Sequence, residues 1–448
     1  MEEHVNKRKL ATVRKIDALD PIEGADLIEV ATVEGWKLVV KKGEFKVGDP
    51  CVYFEIDSFL PDGVPAWQFL VDKSSREFEG VRGHKLRTIK LKGQVSQGLA
   101  LPLRALPTVQ YVLEEKLEGP NGIWASMNLT QRDAAQVIFD AIKLNGDIRA
   151  VNFSDLLGVK KFEAPLPACL QGQAAGLFPS FLRKTDQERC QNLKAQIFGY
   201  TDTVAPFSVD GMSHDVVSEL ISKGIIREQQ GETGIEYVKV FAAQADANAR
   251  YEITMKLDGS SGTFFNRIEE TIVQDETRST VTVKVGACSR NLELKVNDEN
   301  KDNTFVRVLQ DTHLEDALFK FYEDTGREIA VQGEIMGPAI QGNRENFKDF
   351  KFFVFDIFDI KRREYLGRVE RKEVFNELKK TAAIEHAPVL HESVTLQELG
   401  LNSIEDLLKF AEGPSINHPI REGLVFKRED GQFSFKAISN LFLTKEKD

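Results

Sequence analysis

Cysteine is scarce in this 448-residue chain. Cys51, Cys169, Cys190 and Cys288 stand far apart, with no C-x-x-C pair and no histidine at zinc-finger spacing. That excludes a disulfide framework and a structural zinc site, and free thiols in a reducing compartment are expected. Long apolar runs are missing too, so no membrane span is expected. Met1 to Arg8 is charged and lacks the apolar core of a secretory signal, which points to an intracellular protein, cytoplasmic or nuclear. Nor is there an excess of positive charge. A net charge of −11 excludes coating of nucleic acid by bulk attraction and leaves binding to a local basic surface. The residues that are present, 42% hydrophobic and 29% charged, suit a globular protein whose length gives about two or three domains.

From Lys9 to about Leu103 short strand-like runs succeed one another: Leu10 to Ile16, Asp26 to Val33, Trp36 to Val40, Cys51 to Ile56, Leu86 to Leu91 and Gly98 to Leu103. Turns at Glu34-Gly35, Lys42-Gly43 and Gly48-Asp49-Pro50 give the spacing of a small barrel. A basic stretch, Arg82-Gly83-His84-Lys85-Leu86-Arg87 continuing to Lys90 and Lys92, lies on the later strands, with Trp36, Tyr53 and Phe54 among the aromatics. An OB-type barrel with a nucleic-acid-binding face over residues 1–104 is expected, although a solvated strand over an aromatic core reads the same way.

Residues 105–176 read as a partly helical connector. Thr130 and Asp133 resemble a capping box, and Ala134, Val137, Ile138, Ala141 and Ile142 repeat at helical spacing. Ala164-Pro165-Leu166-Pro167 ends the segment. From 177 to 448, strand-like runs at Tyr251 to Met255, Thr280 to Val285, Glu328 to Val331, Phe352 to Phe358, Gly423 to Phe426 and Phe433 to Ala437 alternate with helical patterns at Leu314 to Glu323, Glu370 to Lys380 and Ile404 to Phe410. The class is α+β, and about 200–249 is a candidate insertion with a helix-like stretch near Val216 to Ile221.

The sharpest local element is Lys256-Leu257-Asp258-Gly259-Ser260-Ser261-Gly262, directly after an alternating strand. K-x-D-G alone arises by chance in roughly one chain in ten of this length, and an Asp-Gly pair is an ordinary hairpin turn. A lysine at a strand end near phosphates and metal can, however, lose its proton and act as an amine nucleophile. Five motifs downstream of the lysine, in order, change the weight: Cys288-Ser289-Arg290-Asn291, Val331-Gln332-Gly333-Glu334, the aromatic run Phe352 to Asp356, Glu422-Gly423-Leu424-Val425-Phe426-Lys427, and Phe433-Ser434-Phe435-Lys436.

This series resembles the covalent nucleotidyltransferases: DNA ligases, RNA ligases and capping guanylyltransferases. The resemblance implies an N-terminal OB-type β-barrel followed by a mixed α/β nucleotidyltransferase (ATP-grasp-like ligase) domain with antiparallel sheets. It implies that Lys256 attacks the α-phosphorus of ATP, that Arg290, Lys427 and Lys436 surround the phosphates, and that Phe355 stacks on the adenine. It also implies Mg²⁺ or Mn²⁺ held near Asp258, Glu334 and Glu422, largely through water.

Only twelve residues come after Lys436, whereas DNA ligases and capping enzymes generally carry an OB domain there. A barrel placed first is similar to a family of ATP-dependent RNA ligases. The strings Phe178-Pro179-Ser180-Phe181, Lys184-Thr185-Asp186-Gln187-Glu188-Arg189 and Phe435-Lys436-Ala437-Ile438-Ser439-Asn440 also look like theirs, which implies a phosphate role for Arg189. The expectation is a monomeric RNA-repair ligase sealing 3′-hydroxyl and 5′-phosphate ends of nicked duplex RNA or an RNA/DNA hybrid. A DNA ligase, a GTP-using capping enzyme and a non-enzymatic binding scaffold are the alternatives.

Overall fold

The structure, a computed structural model, describes residues 8–113, 127–145, 151–162, 172–201, 205–206, 209, 212–222, 226–230, 235–239, 242–243, 245–272 and 279–445. The charged N-terminus, Cys169 and the expected Ala164 to Pro167 boundary lie outside the described residues. The chain divides into two compact units, Met1–Ala164 with Lys194–Ala245, and Pro165–Leu193 with Asp246–Asp448.

In the first unit, alternation of side chains along each strand sorts residues into core and surface. Trp36, Leu38 and Val40 face inward from the strand Trp36–Lys41 while Lys37, Val39 and Lys41 do not. This strand forms a meander with Ile28–Val33 and Ala18–Pro21. Ala11–Lys15, Pro50–Phe54 and Leu99–Pro102 form a second antiparallel sheet, with Pro50–Phe54 in the middle. Ser58–Pro61, Val81–Lys85, Arg76–Phe78 and Lys160–Lys161 form a third.

Two clusters fill the interior, and they correct one expectation. Tyr53 packs with Trp36 and Phe45 on one face of the central strand, and Phe54 packs with Leu60, Trp67 and Leu101 on the other. Trp36, Tyr53 and Phe54 are all 0% exposed, so these three are core, not a stacking platform. The basic residues Arg82, Arg87, Lys90 and Lys92 are exposed. Lys92 and Gly93, both with positive φ, turn the hairpin between Thr88–Leu91 and Gln94–Gln97.

The segment after the barrel joins that core: helices Pro107–Leu113 and Leu129–Asn145 bring Val109, Val112, Ala135 and Ile138 to it, and Val151, Phe153 and Leu156 extend it. The cap is not Thr130 with Asp133. Asn128 Oδ1 accepts from the Gln131 backbone N–H and Gln131 Oε1 from that of Asn128, a reciprocal box two residues earlier. Val137, expected on the buried stripe, is exposed. Within residues 194–245 the strands Tyr200–Thr201 and Ala242–Ala243 pair antiparallel at the two ends of the excursion, and Ala205–Pro206, Ile235–Lys239 and Ile226–Gln230 form a small sheet beside helix His214–Ser222.

The second unit rests on two sheets. The larger runs Ala174–Leu177, Leu292–Leu294, Ser279–Cys288, Ser260–Ile272, Ile329–Met336, Lys351–Asp359 and Glu364–Tyr365, with Glu385–His386 paired to Lys351–Asp359. Helices Thr304–Asp311, Leu314–Thr325 and Arg368–Lys379 pack Leu309, Leu318, Phe321 and Phe375 on Phe264, Val331, Phe352 and Val354 of this sheet. The smaller sheet is ordered Glu188–Arg189, Ser434–Ile438, Gly423–Arg428, Tyr251–Lys256 and Val389–Val394.

Candidate active site

The chain crosses from the smaller sheet to the larger at residues 257–259, between the strands Tyr251–Lys256 and Ser260–Ile272. Leu257 is buried with Met336 and Phe353, which fixes the crossover. Gly259 is obligatory there: a Cβ would stand 2.4 Å from the Ile335 carbonyl oxygen and 2.9 Å from Glu334 Cγ. Its N–H instead donates to Glu334 Oε1 at 3.0 Å.

Lys256 pairs across the smaller sheet with Gly423, so Glu422, one residue earlier, meets the lysine head: Nζ donates to Oε2 at 2.7 Å. Burial opposes the lysine charge, but Glu422, Glu334 and Asp258 outweigh it and hold the group above the ordinary lysine range. Burial also pushes Glu334 up to about 7, with Lys256 opposing and Glu422 and Asp258 adding. Asp258 has Arg344 Nη1 at 3.8 Å.

Register places the remaining candidates. Glu252 pairs with Lys427, Lys436 with Val425, and Arg189 with Lys436, and alternation puts Lys256, Lys427, Lys436 and Arg189 on one face of the smaller sheet. Burial, together with Lys256 and Arg189, lowers Lys436 to about 8 against the pull of Asp186. Arg290, in the turn after Ser279–Cys288, donates to Asp186 Oδ2 at 3.0 Å, and Lys436 donates to Oδ1 at 3.1 Å. Asp186 lies inside a string that resembles a family segment, but its residue type alone gave no hint of this bridge.

Lys427, expected among the phosphate cations, lies on that face of the smaller sheet and is held by Asp356 and the Phe355 carbonyl. Its side chain is enclosed, lowered to about 8 by burial, with Nζ 2.6 Å from Asp356 Oδ2 and donating to the Phe355 carbonyl at 2.6 Å. Phe355 is itself the extra residue of a β-bulge, since Gln332 pairs with Asp356 while Gly333 pairs with Val354. Bulges re-aim side chains, and alternation along the sequence does not reveal them.

The site therefore collects Lys256, Asp258, Glu334 and Glu422 around one amine, Lys436, Arg189 and Arg290 beside them, and Lys427 beneath the Phe355 bulge. Among the described residues no three His, Cys, Asp or Glu side chains converge to ligate an ion directly. Three carboxylates around one lysine, one of them held near 7, form a donor set short of positive charge, and their oxygens suit a hard divalent cation.

These charges suit phosphoryl transfer, and the comparisons agree. An OB-fold domain model matches residues 10–103 and an RNA ligase model matches residues 249–438. No curated protein matches the chain. Among solved structures, the RNA ligase of Naegleria gruberi with pyrophosphate is 34% identical over 98% of this chain and 99% of that one, with a TM-score of 0.66. Lysine variants of the same enzyme, with ATP and Mn and with AMP and Mn, are 33% identical over 98% of this chain, with TM-scores of 0.66 and 0.67, covering 99% and 100% of those chains. The chain belongs to the family of ATP-dependent RNA ligases that carry an OB-fold domain ahead of the ligase domain. Among the described residues no helix is long and apolar enough to cross a membrane.

Proposed function

We propose that this ligase joins 3′-hydroxyl and 5′-phosphate RNA ends, in nicked duplex RNA or an RNA/DNA hybrid, through a covalent adenylate on Lys256. The observation that carries the reading is the lysine at a strand end, 2.7 Å from Glu422, with Lys436 and Arg189 on the same sheet face. Lys256 Nζ gives a proton to Glu422, its hydrogen-bond partner, and forms a bond to the α-phosphorus of ATP as the bond to pyrophosphate breaks. AMP then passes to the 5′-phosphate, and the 3′-hydroxyl displaces it.

Arg189, Arg290 and Lys436 supply positive charge to the phosphates. Phe355 stacks on adenine, and Lys427 holds the bulge that presents it. Bound by Asp258, Glu334 and Glu422, largely through water, Mg²⁺ or Mn²⁺ would offset phosphate charge and draw on the carboxylates that keep Lys256 protonated. The barrel's exposed Arg82, Arg87, Lys90 and Lys92 contact the duplex backbone, so rising salt lowers sealing while self-adenylylation persists.

Incubation with α-labelled ATP or GTP and Mg²⁺ or Mn²⁺, then a denaturing gel, tests the reading. Label from ATP that is absent in Lys256→Ala supports it; label from GTP moves the protein to the capping class. Nicks differing only in ribose or deoxyribose at the 3′ terminus separate RNA from DNA sealing, since a reader of the 2′-hydroxyl needs ribose there.

A further inference from the structure

Asp186 is held between two cations by a segment that cannot easily withdraw. The Arg183 carbonyl accepts from Gln332 Nε2 at 2.7 Å, and the Lys184 carbonyl accepts from the Tyr365 hydroxyl at 3.3 Å. Lys184 Nζ donates to Asn291 Oδ1 at 3.1 Å, and the Thr185 and Ser261 hydroxyls lie 2.9 Å apart. All four partners, Gln332, Tyr365, Asn291 and Ser261, belong to strands of the larger sheet or the turns between them. From this fixed backbone one carboxylate oxygen meets Lys436 and the other meets Arg290.

Two oxygens of one anion bridging an arginine and a lysine is the contact that a phosphate group makes. We propose that Asp186 is an internal competitor for the leaving-group phosphates: it occupies Lys436 and Arg290 when no nucleotide is present, yields to the triphosphate of ATP, and returns to speed pyrophosphate release. This rests on the reading of Lys436 and Arg290 as phosphate ligands.

The energetic logic is one of competition. An incoming polyphosphate carries more charge than one carboxylate and displaces it, but breaking the two ion pairs reduces the net affinity. Once Lys256 carries AMP, the nucleotide is held covalently, so the reduced affinity falls on pyrophosphate alone. The return of AMP to pyrophosphate is thereby disfavoured. Asp186 and Arg290 are partly solvated, with side chains 41% and 59% exposed, whereas Lys436 is 18% exposed, so exchange needs a side-chain rotation and no unfolding.

The test is calorimetric binding of inorganic pyrophosphate, at fixed magnesium, to wild type, Asp186→Asn, Asp186→Ala, Arg290→Ala and Lys436→Ala. A second readout is the pyrophosphate concentration that strips AMP from the adenylylated protein. Loss of two partly exposed ion pairs predicts that both Asp186 variants bind pyrophosphate about three- to tenfold more tightly. Both should also lose AMP at correspondingly lower pyrophosphate, while Arg290→Ala and Lys436→Ala bind it more weakly. If the Asp186 variants bind as wild type or more weakly while the two cation variants weaken binding, the competitor role is overturned and the phosphate reading stands. If neither cation variant weakens binding, the phosphate reading itself fails. The Ala variant carries the same expectation should the Asn variant not fold.

Discussion

Lys256 Nζ lies 2.7 Å from Glu422 Oε2, so the residue proposed to act as an amine is held toward its ammonium form. Replacing Glu422 with Gln removes the anion that does most to hold the proton, and the lysine pKa should fall. The rate of acylation of Lys256, tracked by mass spectrometry against pH, should show its alkaline rise at lower pH in Glu422→Gln than in wild type. Adenylylation should nonetheless fall by about a hundredfold or more, because positioning and charge around the phosphates are lost. An unmoved acylation profile would show that Glu422 does not control the lysine proton.

Glu334 makes a stability prediction of known sign. Its folded pKa, about 7, exceeds the carboxylate's ordinary value of 4.5. Between these values the folded chain binds more protons than the unfolded chain, so stability falls as pH rises through the window, and the penalty is complete above about 7. Glu334→Gln removes the charge, so its melting temperature relative to wild type should rise by a few degrees at about pH 8 and change little at about pH 4.5. A gain of equal size at both pH values would contradict the linkage. Activity should be lost in the same variant, as at a site where function is bought with stability.

Much of the second unit was legible because its strands end in residue types that strand packing does not explain. The lysine of K-x-D-G and the glutamate before Gly423 announce themselves locally, and helix Ile404–Phe410 falls where its spacing puts it. Three things were not legible. The Phe355 bulge depends on how two strands pair, and a single strand's pattern holds no information about register. The Asp186 bridge depends on Gln332, Tyr365, Asn291 and Ser261 fixing a loop from distant positions. Trp36, Tyr53 and Phe54 could face bases or the core, because aromatic residues in a strand do not by themselves tell which of its faces is covered.

Gly259 shows how closely the crossover is built. Gly259→Ala would place a methyl carbon against the Ile335 carbonyl oxygen and against Glu334 Cγ, forcing the carboxylate off its bond to the Gly259 N–H. Adenylylation should drop about tenfold or more and the melting temperature should fall with it, since the Ile335 backbone must shift to admit the methyl group. Retained adenylylation would mean that Glu334 need not sit where the backbone now holds it.

A final prediction separates the barrel from the segment behind it. A fragment ending at residue 104 keeps every strand of the barrel sheets except Lys160–Lys161 but loses Val109, Val112, Ala135, Ile138, Phe153 and Leu156, all buried in one cluster with Phe54, Trp67 and Leu101. Each large apolar side chain removed from such a core costs about 2–5 kcal/mol of stability, and a small domain holds only about 5–15 kcal/mol in total. Residues 8–104 should therefore melt without a cooperative transition or aggregate, whereas residues 8–164 should unfold cooperatively in circular dichroism. Equal cooperativity of the two fragments would mean that the barrel's core closes without the helices Pro107–Leu113 and Leu129–Asn145, and that their burial serves something other than its stability.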